Sequence, residues 1–437
     1  EFLGTDFFDK ILNMKIAILG FGAEGKTTLK FLKKSPRFKK AKICVLDKKN
    51  DANYLKNLEQ FDVVFRSPGV PYNLPEIQKA VKAGVKFSGN IQLFFEEAEK
   101  IDCQIVGVTG TKGKGTVSTL LYKMLEAAGR DAHLAGNIGK PAIGILPRLN
   151  KNSLVVLELS SFQLQDLNPP AGKPDIAVIL DISPDHLDVH KNFREYLNAK
   201  AGIIKNQKKT NKIFYFAGNK HSRWIAQKSP AKKIIVSAEK FGLFKPEDLK
   251  IRGPHNFKNA VMAAKIALAL NCPKSAIVNT IKKFKGNEHR LEFVRKINKI
   301  NFYNDSAGTN PQTAIAAIRA FKEPKILIAG GKDKKLDYFP LAKALKKSGV
   351  KSVILFGENK KKIAKAIFKT KNKESGIIEV GNLEMAVKEA YKTAKFLIHD
   401  SKFTIHIIFS PASASFDMFK NYKERGEKFK EIVRKLR

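Results

Sequence analysis

Cysteine is scarce in this 437-residue chain: Cys44, Cys103 and Cys272 are odd in number and far apart. That excludes a disulfide framework and a cysteine-built zinc site, and leaves ordinary reduced thiols. Long apolar runs are missing as well. No stretch approaches the roughly 18 unbroken apolar residues of a membrane span, and Asp6 and Asp9 stand where a signal peptide would be basic. A cytoplasmic protein is expected, with no membrane span. Met14 directly precedes the first strand-like run, so residues 1–13 are read as an extension without a function. Acidic residues are in deficit, 41 against 81 Lys and Arg, for a formal net charge of +40. Such an excess accompanies nucleic-acid or anionic-membrane binding. Here lysines such as Lys33, Lys34, Lys208, Lys209, Lys346 and Lys347 are scattered through every segment. No compact basic arm and no aromatic-interleaved RNA motif is present. A solvated lysine-rich surface explains the charge, so nucleic acid is not expected as a partner and small anionic substrates are.

What is present is alternation. Strand-like apolar runs and amphipathic helical stretches follow one another along almost the whole chain, the pattern of an α/β protein with parallel sheets. Length favours about three domains. The spacing predicts a Rossmann-like unit over 14–100, a central P-loop ATPase-like parallel sheet over 101–285 and a C-terminal Rossmann-like unit over 286–437.

In the first unit, Gly20-x-Gly22-x-x-Gly25 follows the run Lys15–Leu19, and Asp47 ends the next strand. The glycines allow close approach to a phosphate at a helix N-terminus, and Asp47 lies where a ribose-binding acid is expected. Glycines serving only strand-to-helix packing would look the same. The stretch Thr109-Gly-Thr-Lys-Gly-Lys-Gly-Thr116 is more specific. Its glycines let backbone N–H groups wrap phosphate oxygens while Lys114 offsets the β and γ charges. An ATP site is predicted over Gly110, Thr111, Lys112, Gly113, Lys114, Gly115 and Thr116. Glu158 ends the apolar run Leu154–Leu157, where a carboxylate reaches Mg²⁺ at the carboxyl edge of a parallel sheet; a solvated strand-end acid is the bland alternative. His186, between Asp185 and Asp188, is a candidate for a second Mg²⁺ or for substrate anions, or else a structural histidine.

In order along the chain, Gly110–Thr116, Gly136-Asn-Ile-Gly139, Glu158-Leu-Ser-Ser-Phe-Gln163, Asp185-His-Leu-Asp188, Gly253-Pro-His-Asn256, His289-Arg290 and Ser410-Pro-Ala-Ser-Ala-Ser415 resemble the signatures of the Mur ligase family, from Lys15 to the C-terminus. Ser67-Pro-Gly69 in the opening unit and Asn421-Tyr-Lys-Glu-Arg-Gly426 are similar to the branch that adds D-glutamate. The resemblance implies an ATP- and Mg²⁺-dependent, amide-forming ligase of peptidoglycan synthesis acting on a UDP-muramoyl precursor and an amino acid, working as a monomer. It implies catalytic roles for Lys114, Glu158, His186 and Lys200, the last as a carbamylated lysine. The metal set is then Thr116, Glu158, His186 and carbamylated Lys200. Asn256, Asn259, Arg290 and Asp305 join the ATP site. Asp47, Ser67, Asn137, Ser160, Gln163, Thr309, Lys334, Ser415, Phe416 and Tyr422 face the substrates. Read from the residues alone, Lys200 is one lysine among dozens, Asn256 could be a helix cap, Asp305 a turn residue, and Lys332 rivals Lys334.

Three positions depart from the family pattern. Gly115 stands where a Ser or Thr normally gives Mg²⁺ a hydroxyl, Ala307 where a lysine is common, and Asn90 where an acid is often found. A different Mur-type or folylpolyglutamate-like ligase would share the central motifs but not the two ends of the chain. A dehydrogenase would explain only residues 15–47. A nucleic-acid-binding NTPase would leave Glu158, His186 and the C-terminal signature without a role.

Overall fold

The computed structural model describes residues 14–167, 172–187, 189–251, 253–334, 336–346, 348–371, 375–399 and 403–437; Asp188 and residues 1–13 lie outside them. The predicted α/β alternation is observed, as three sheets. The contacts divide the chain into two compact units, Glu1–Leu249 with Pro254–Lys283, and Lys250–Gly253 with Phe284–Arg437.

The first unit holds two sheets. Strands β1 (Lys15–Leu19), β2 (Lys42–Leu46), β3 (Val63–Arg66) and β4 (Lys86–Ser88) form a parallel sheet in the order β2-β1-β3-β4. Helix α1 (Ala23–Lys34) leads from β1, and α2 (Asn90–Ile101) follows β4. The second sheet has the order β10-β9-β8-β5-β7-β6, all parallel. Its strands are β5 (Gln104–Thr109), β6 (Ala132–Gly136), β7 (Leu154–Glu158), β8 (Ile176–Ile179), β9 (Lys212–Tyr215) and β10 (Lys232–Ile235). Its central strands are apolar throughout because helices cover both faces. Helices α3 (Lys114–Ala127), α4 (Ser161–Gln165), α5 (Phe193–Ala201) and α6 (Pro254–Ala269) bring side chains to one edge. The chain reverses its direction of strand addition at β5, so the crevice for a ligand falls at the carboxyl end of that strand.

One apolar core runs through both sheets, from Ile16 and Phe65 to Ile105, Val155 and Ile213. At its margin Arg66, at the end of β3, donates from Nε and Nη2 to the Asp166 carboxylate at 2.8–3.0 Å and to the Phe162 carbonyl. Burial outweighs the attraction of Arg66 and leaves the Asp166 carboxyl raised to about 6. Asn90 also ties elements together. It donates to Thr28 Oγ1 on α1 and accepts from the Ile143 amide. A carboxylate here would only accept, so the Thr28 hydroxyl would have to reverse its role and donate.

The second unit is a six-stranded sheet in the order β11-β12-β16-β13-β14-β15, with only β11 antiparallel. Its strands are β11 (Glu292–Ile297), β12 (Ile300–Asn304), β13 (Lys325–Gly330), β14 (Val350–Phe356), β15 (Gly376–Glu379) and β16 (Ile405–Phe409). Helices α7 (Pro311–Arg319), α8 (Phe339–Leu345) and α9 (Lys360–Lys369) pack on one face; α10 (Leu383–Ile398) and α11 (Tyr422–Lys435) pack on the other. Among the described residues, no helix is long and apolar enough to cross a membrane.

Candidate active site

The first unit assembles its polar side chains at the carboxyl ends of three adjacent strands, β8, β5 and β7. From Thr109 the chain turns through Gly110 to Gly113 into α3. Gly110 and Gly113 have φ of 151° and 86°. A Cβ on Gly113 would overlap the carboxamide of Asn259, and one on Gly110 would lie 2.6 Å from Leu180 Cβ. Only glycine permits this turn and this approach together. Thr111 fixes the loop from the β8 side. Its Oγ1 pairs with Tyr196 OH at 2.9 Å and donates to the Ser183 carbonyl at 3.0 Å.

Two lysines close on the loop. Lys114 Nζ donates to the carbonyls of Gly110 and Thr111 at 2.9 and 3.1 Å. Lys200, on α5 and only 1% exposed, donates from Nζ to the same Gly110 carbonyl at 2.8 Å. Burial, with the Lys114 charge next, drives Lys200 well below the ordinary lysine range. It is a buried amine held against the loop rather than one of the solvated surface cations. Its neighbour Tyr196, whose ring lies 4.7 Å from the Lys200 nitrogen, is pushed above the usual tyrosine range by burial.

Glu158 is buried at the end of β7, and Asn137 Nδ2 donates to its Oε1 at 2.7 Å. His186 is half-exposed with φ of 54°; its ring meets Phe162 at 5.1 Å, and its Nε2 lies 3.8 Å from Asp185 Oδ2. The buried carboxylate of Glu158 and the first-turn hydroxyl of Thr116 are oxygen donors that fit a hard divalent cation in kind, and His186 adds an imidazole. Lys112 is exposed beside Gly113 and lowers His255, which burial already pulls down. Gly115 is the second residue of α3 and has no side chain to offer a metal. Asn256 lies inside the first turn of α6, not at its cap.

Ser160 and Gln163 have local work. They form a capping box at the start of α4, with Ser160 Oγ accepting from the Gln163 amide at 3.2 Å and Gln163 Oε1 accepting from the Ser160 amide at 3.0 Å. Gln163 Nε2 then donates to Glu24 Oε1 on α1 at 2.6 Å, and burial raises Glu24 to about 7. In the opening sheet Ser67 Oγ donates to the Gly20 carbonyl at 2.6 Å. Asp47 is half-buried and accepts from the amides of Phe21 and Lys49, which hold it below the usual carboxylate range.

In the second unit the candidate residues also gather at carboxyl strand ends. Asp305 follows β12 and is buried. Its Oδ2 accepts from Ser410 Oγ at 2.6 Å and its Oδ1 from the Leu291 amide at 3.1 Å, and burial raises it to about 7. Arg290 is exposed; Thr309 is half-buried; Lys334 is exposed, whereas Lys332 pairs with Glu358 at 2.6 Å. Ser415 is buried, Phe416 exposed and Tyr422 half-buried at the start of α11. Ala307, in the loop after β12, donates its amide to the His289 carbonyl at 2.9 Å.

Arg425 organises this edge, and composition gave no sign of it. It is wholly buried and donates from Nε and Nη2 to Ser306 Oγ and carbonyl at 3.1 and 2.8 Å, and to the carbonyls of Ser413 and Ala414 at 3.0 Å. Ser306 Oγ in turn donates to the Tyr422 carbonyl at 2.8 Å. One guanidinium thus joins the loops after β12 and β16 to α11. The signal was its place in Asn421-Tyr-Lys-Glu-Arg-Gly426, where Asn421 caps the helix and Gly426 leaves room for the His289 ring. Tyr196, Arg66 and Glu24 carried no motif and were likewise missed.

Residues 108–268 match the Mur ligase middle domain, and residues 289–396 match the Mur ligase, glutamate ligase domain. The UDP-N-acetylmuramoylalanine--D-glutamate ligase of Acetivibrio thermocellus is 35% identical over 480 aligned positions, covering 99% of this chain and 98% of that protein. Among solved structures, the UDP-N-acetylmuramate-alanine ligase of Thermotoga maritima has a TM-score of 0.57 at 18% identity, covering 97% of this chain and 99% of that one. The MurF ligase of Thermotoga maritima in complex with ADP has a TM-score of 0.56 at 15% identity, covering 98% and 96%. At such identities the two structures bear on the fold alone.

Proposed function

The chain belongs to the Mur ligase family, and from that premise we propose that it joins D-glutamate to UDP-N-acetylmuramoyl-L-alanine with ATP, in peptidoglycan synthesis. The observation that carries the reading is that Lys114 and Lys200 close on the Gly110 turn, with Glu158 at the end of the neighbouring strand β7. That arrangement is built to hold a polyphosphate and offset charge in transit.

The substrate carboxylate attacks the γ-phosphorus of ATP, the bond to the β-phosphate oxygen breaks, and ADP leaves an acyl phosphate. The amine of D-glutamate then attacks the acyl carbon. Phosphate departs with the C–O bond electrons, the amine loses a proton, and the amide remains. Magnesium, when bound, neutralises phosphoryl charge. Glu158 and His186 are its donors, with Thr116 the hydroxyl closest in sequence to replace the one missing at Gly115. Lys200, once deprotonated, adds to carbon dioxide and releases a further proton to become a carbamate, which turns a cation into an oxygen ligand. Lys114 and the loop amides orient the phosphates. Asn259, Asn256, Arg290 and Asp305 complete the nucleotide site.

Residues 14–100 hold the UDP-sugar through Asp47 and Ser67, and Asn137, Ser160 and Gln163 meet its muramoyl end. Residues 101–285 hold ATP. Residues 286–437 hold the amino acid through Thr309, Lys334, Ser415, Phe416 and Tyr422. The enzyme works as a cytoplasmic monomer in wall growth, cell shape and division. Phosphate release tests the reading. It is expected to require UDP-N-acetylmuramoyl-L-alanine and D-glutamate together, with L-glutamate inactive; release with another amino acid alone would move the chain to another branch of the family.

A further inference from the structure

Helices cover both faces of the second unit's sheet, yet its two edges differ in charge. The parallel strands β12 to β16 all begin at one edge, and the helices between them run back and end there. The opposite edge carries the candidate site and is mixed in sign, with Asp305, Asp333, Glu358 and Asp417 among its lysines. The loops leading into the strands are basic. Lys322, Lys346 and Lys371 are exposed in them, and Lys435 is exposed where α11 ends. In sequence the lysines of those loops, Lys322, Lys346, Lys347, Lys371, Lys373 and Lys402, outnumber the acids Glu323, Glu374 and Asp400, and Glu323 faces the buried His406 ring at 3.4 Å.

Lysines at helix C-termini complement the helix dipole, and that alone would explain the charge. It does not explain the aromatics. Phe368, in the last turn of α9, is 69% exposed, and Phe396, in the last turn of α10, is 82% exposed. The two helices lie on opposite faces of the sheet, so one phenylalanine stands on each side of the same basic edge. A basic rim with projecting phenylalanines matches an anionic bilayer in both charge and polarity. Single-stranded nucleic acid needs a row of aromatics on an open surface, and both faces of this sheet are closed.

We propose that this edge docks on an anionic lipid surface, with the lysines at the headgroup phosphates and Phe368 and Phe396 at the headgroup–acyl boundary. The catalytic edge then points away from the bilayer, about 20 Å along the strands, open to soluble substrates. The inference is independent of which amide the enzyme forms.

Flotation of the full chain with vesicles of phosphatidylcholine, and of phosphatidylcholine with phosphatidylglycerol, tests it. Binding is expected only to the anionic vesicles and is expected to weaken with salt. Each lysine lost near such a surface weakens binding roughly fivefold, so the combined Lys322→Gln, Lys346→Gln, Lys371→Gln and Lys435→Gln variant should bind more than tenfold less. Phe368→Ser with Phe396→Ser should bind several-fold less, and both variants should keep ATP turnover in solution. Absence of binding to anionic vesicles, or binding that either variant leaves intact, overturns the proposal. So does tighter binding of random duplex DNA than of the vesicles, lost with the lysines and indifferent to the phenylalanines.

Discussion

Lys114 and Lys200 donate to one carbonyl, that of Gly110, at 2.9 and 2.8 Å. Two ammonium groups sharing a buried acceptor repel each other, and burial together with the Lys114 charge lowers the more deeply buried Lys200 well below the ordinary lysine range. The unfolded chain keeps Lys200 charged at pH 7, where the lowered folded-state value costs stability. Lys200→Met removes that cost. The expected result is an unchanged or higher thermal midpoint with at least ~100-fold lower phosphate release; a variant that unfolds earlier, or that stays active, contradicts the assignment.

Asn137 holds Glu158 in place through Oε1. Glu158→Gln keeps the shape and the bond but loses the charge, and turnover should fall by on the order of 100-fold. Asn137→Ala keeps the charge and frees the carboxylate, so the magnesium concentration for half-maximal rate should rise while the saturated rate falls less. A magnesium titration of both variants separates the two roles.

Glu24 binds a proton in the folded state up to about pH 7, against 4.5 for an unperturbed glutamate. Across that window the folded chain retains a proton that the unfolded chain has released, so this group's contribution to stability is lost as pH rises. Glu24→Gln keeps a hydrogen-bonding partner for Gln163 and cannot ionise. Between pH 5 and 8 the wild type should lose urea stability relative to Glu24→Gln; parallel curves would show that Glu24 is not the titrating group.

Arg425 satisfies four acceptors on two segments. Arg425→Met leaves them buried without donors and should cost on the order of 3 kcal/mol. Arg425→Lys supplies charge without the fork. It should fold, with KM for the amino acid raised more than kcat is lowered, and added guanidinium should restore the Met variant in part. Equal loss in KM for ATP and for the amino acid would mean a general collapse instead.

The sequence by itself determined the alternation of strands and helices, the glycine turn at Gly110–Gly113 and the acid at the end of β7. Each of these is a local matter: apolar period, backbone freedom at two glycines, and the position of one residue after a strand. Tertiary structure decided the rest, because burial and partnership are not local. Lys200 was buried and lowered well below the ordinary lysine range only when α5 brought it to Gly110. Ser160 and Gln163 became a helix cap with a tie to Glu24, and Asp305 found Ser410 from a strand 105 residues away. Arg425, one of 81 basic residues, became the clamp of its sheet edge because two separate loops present it their carbonyls and hydroxyl.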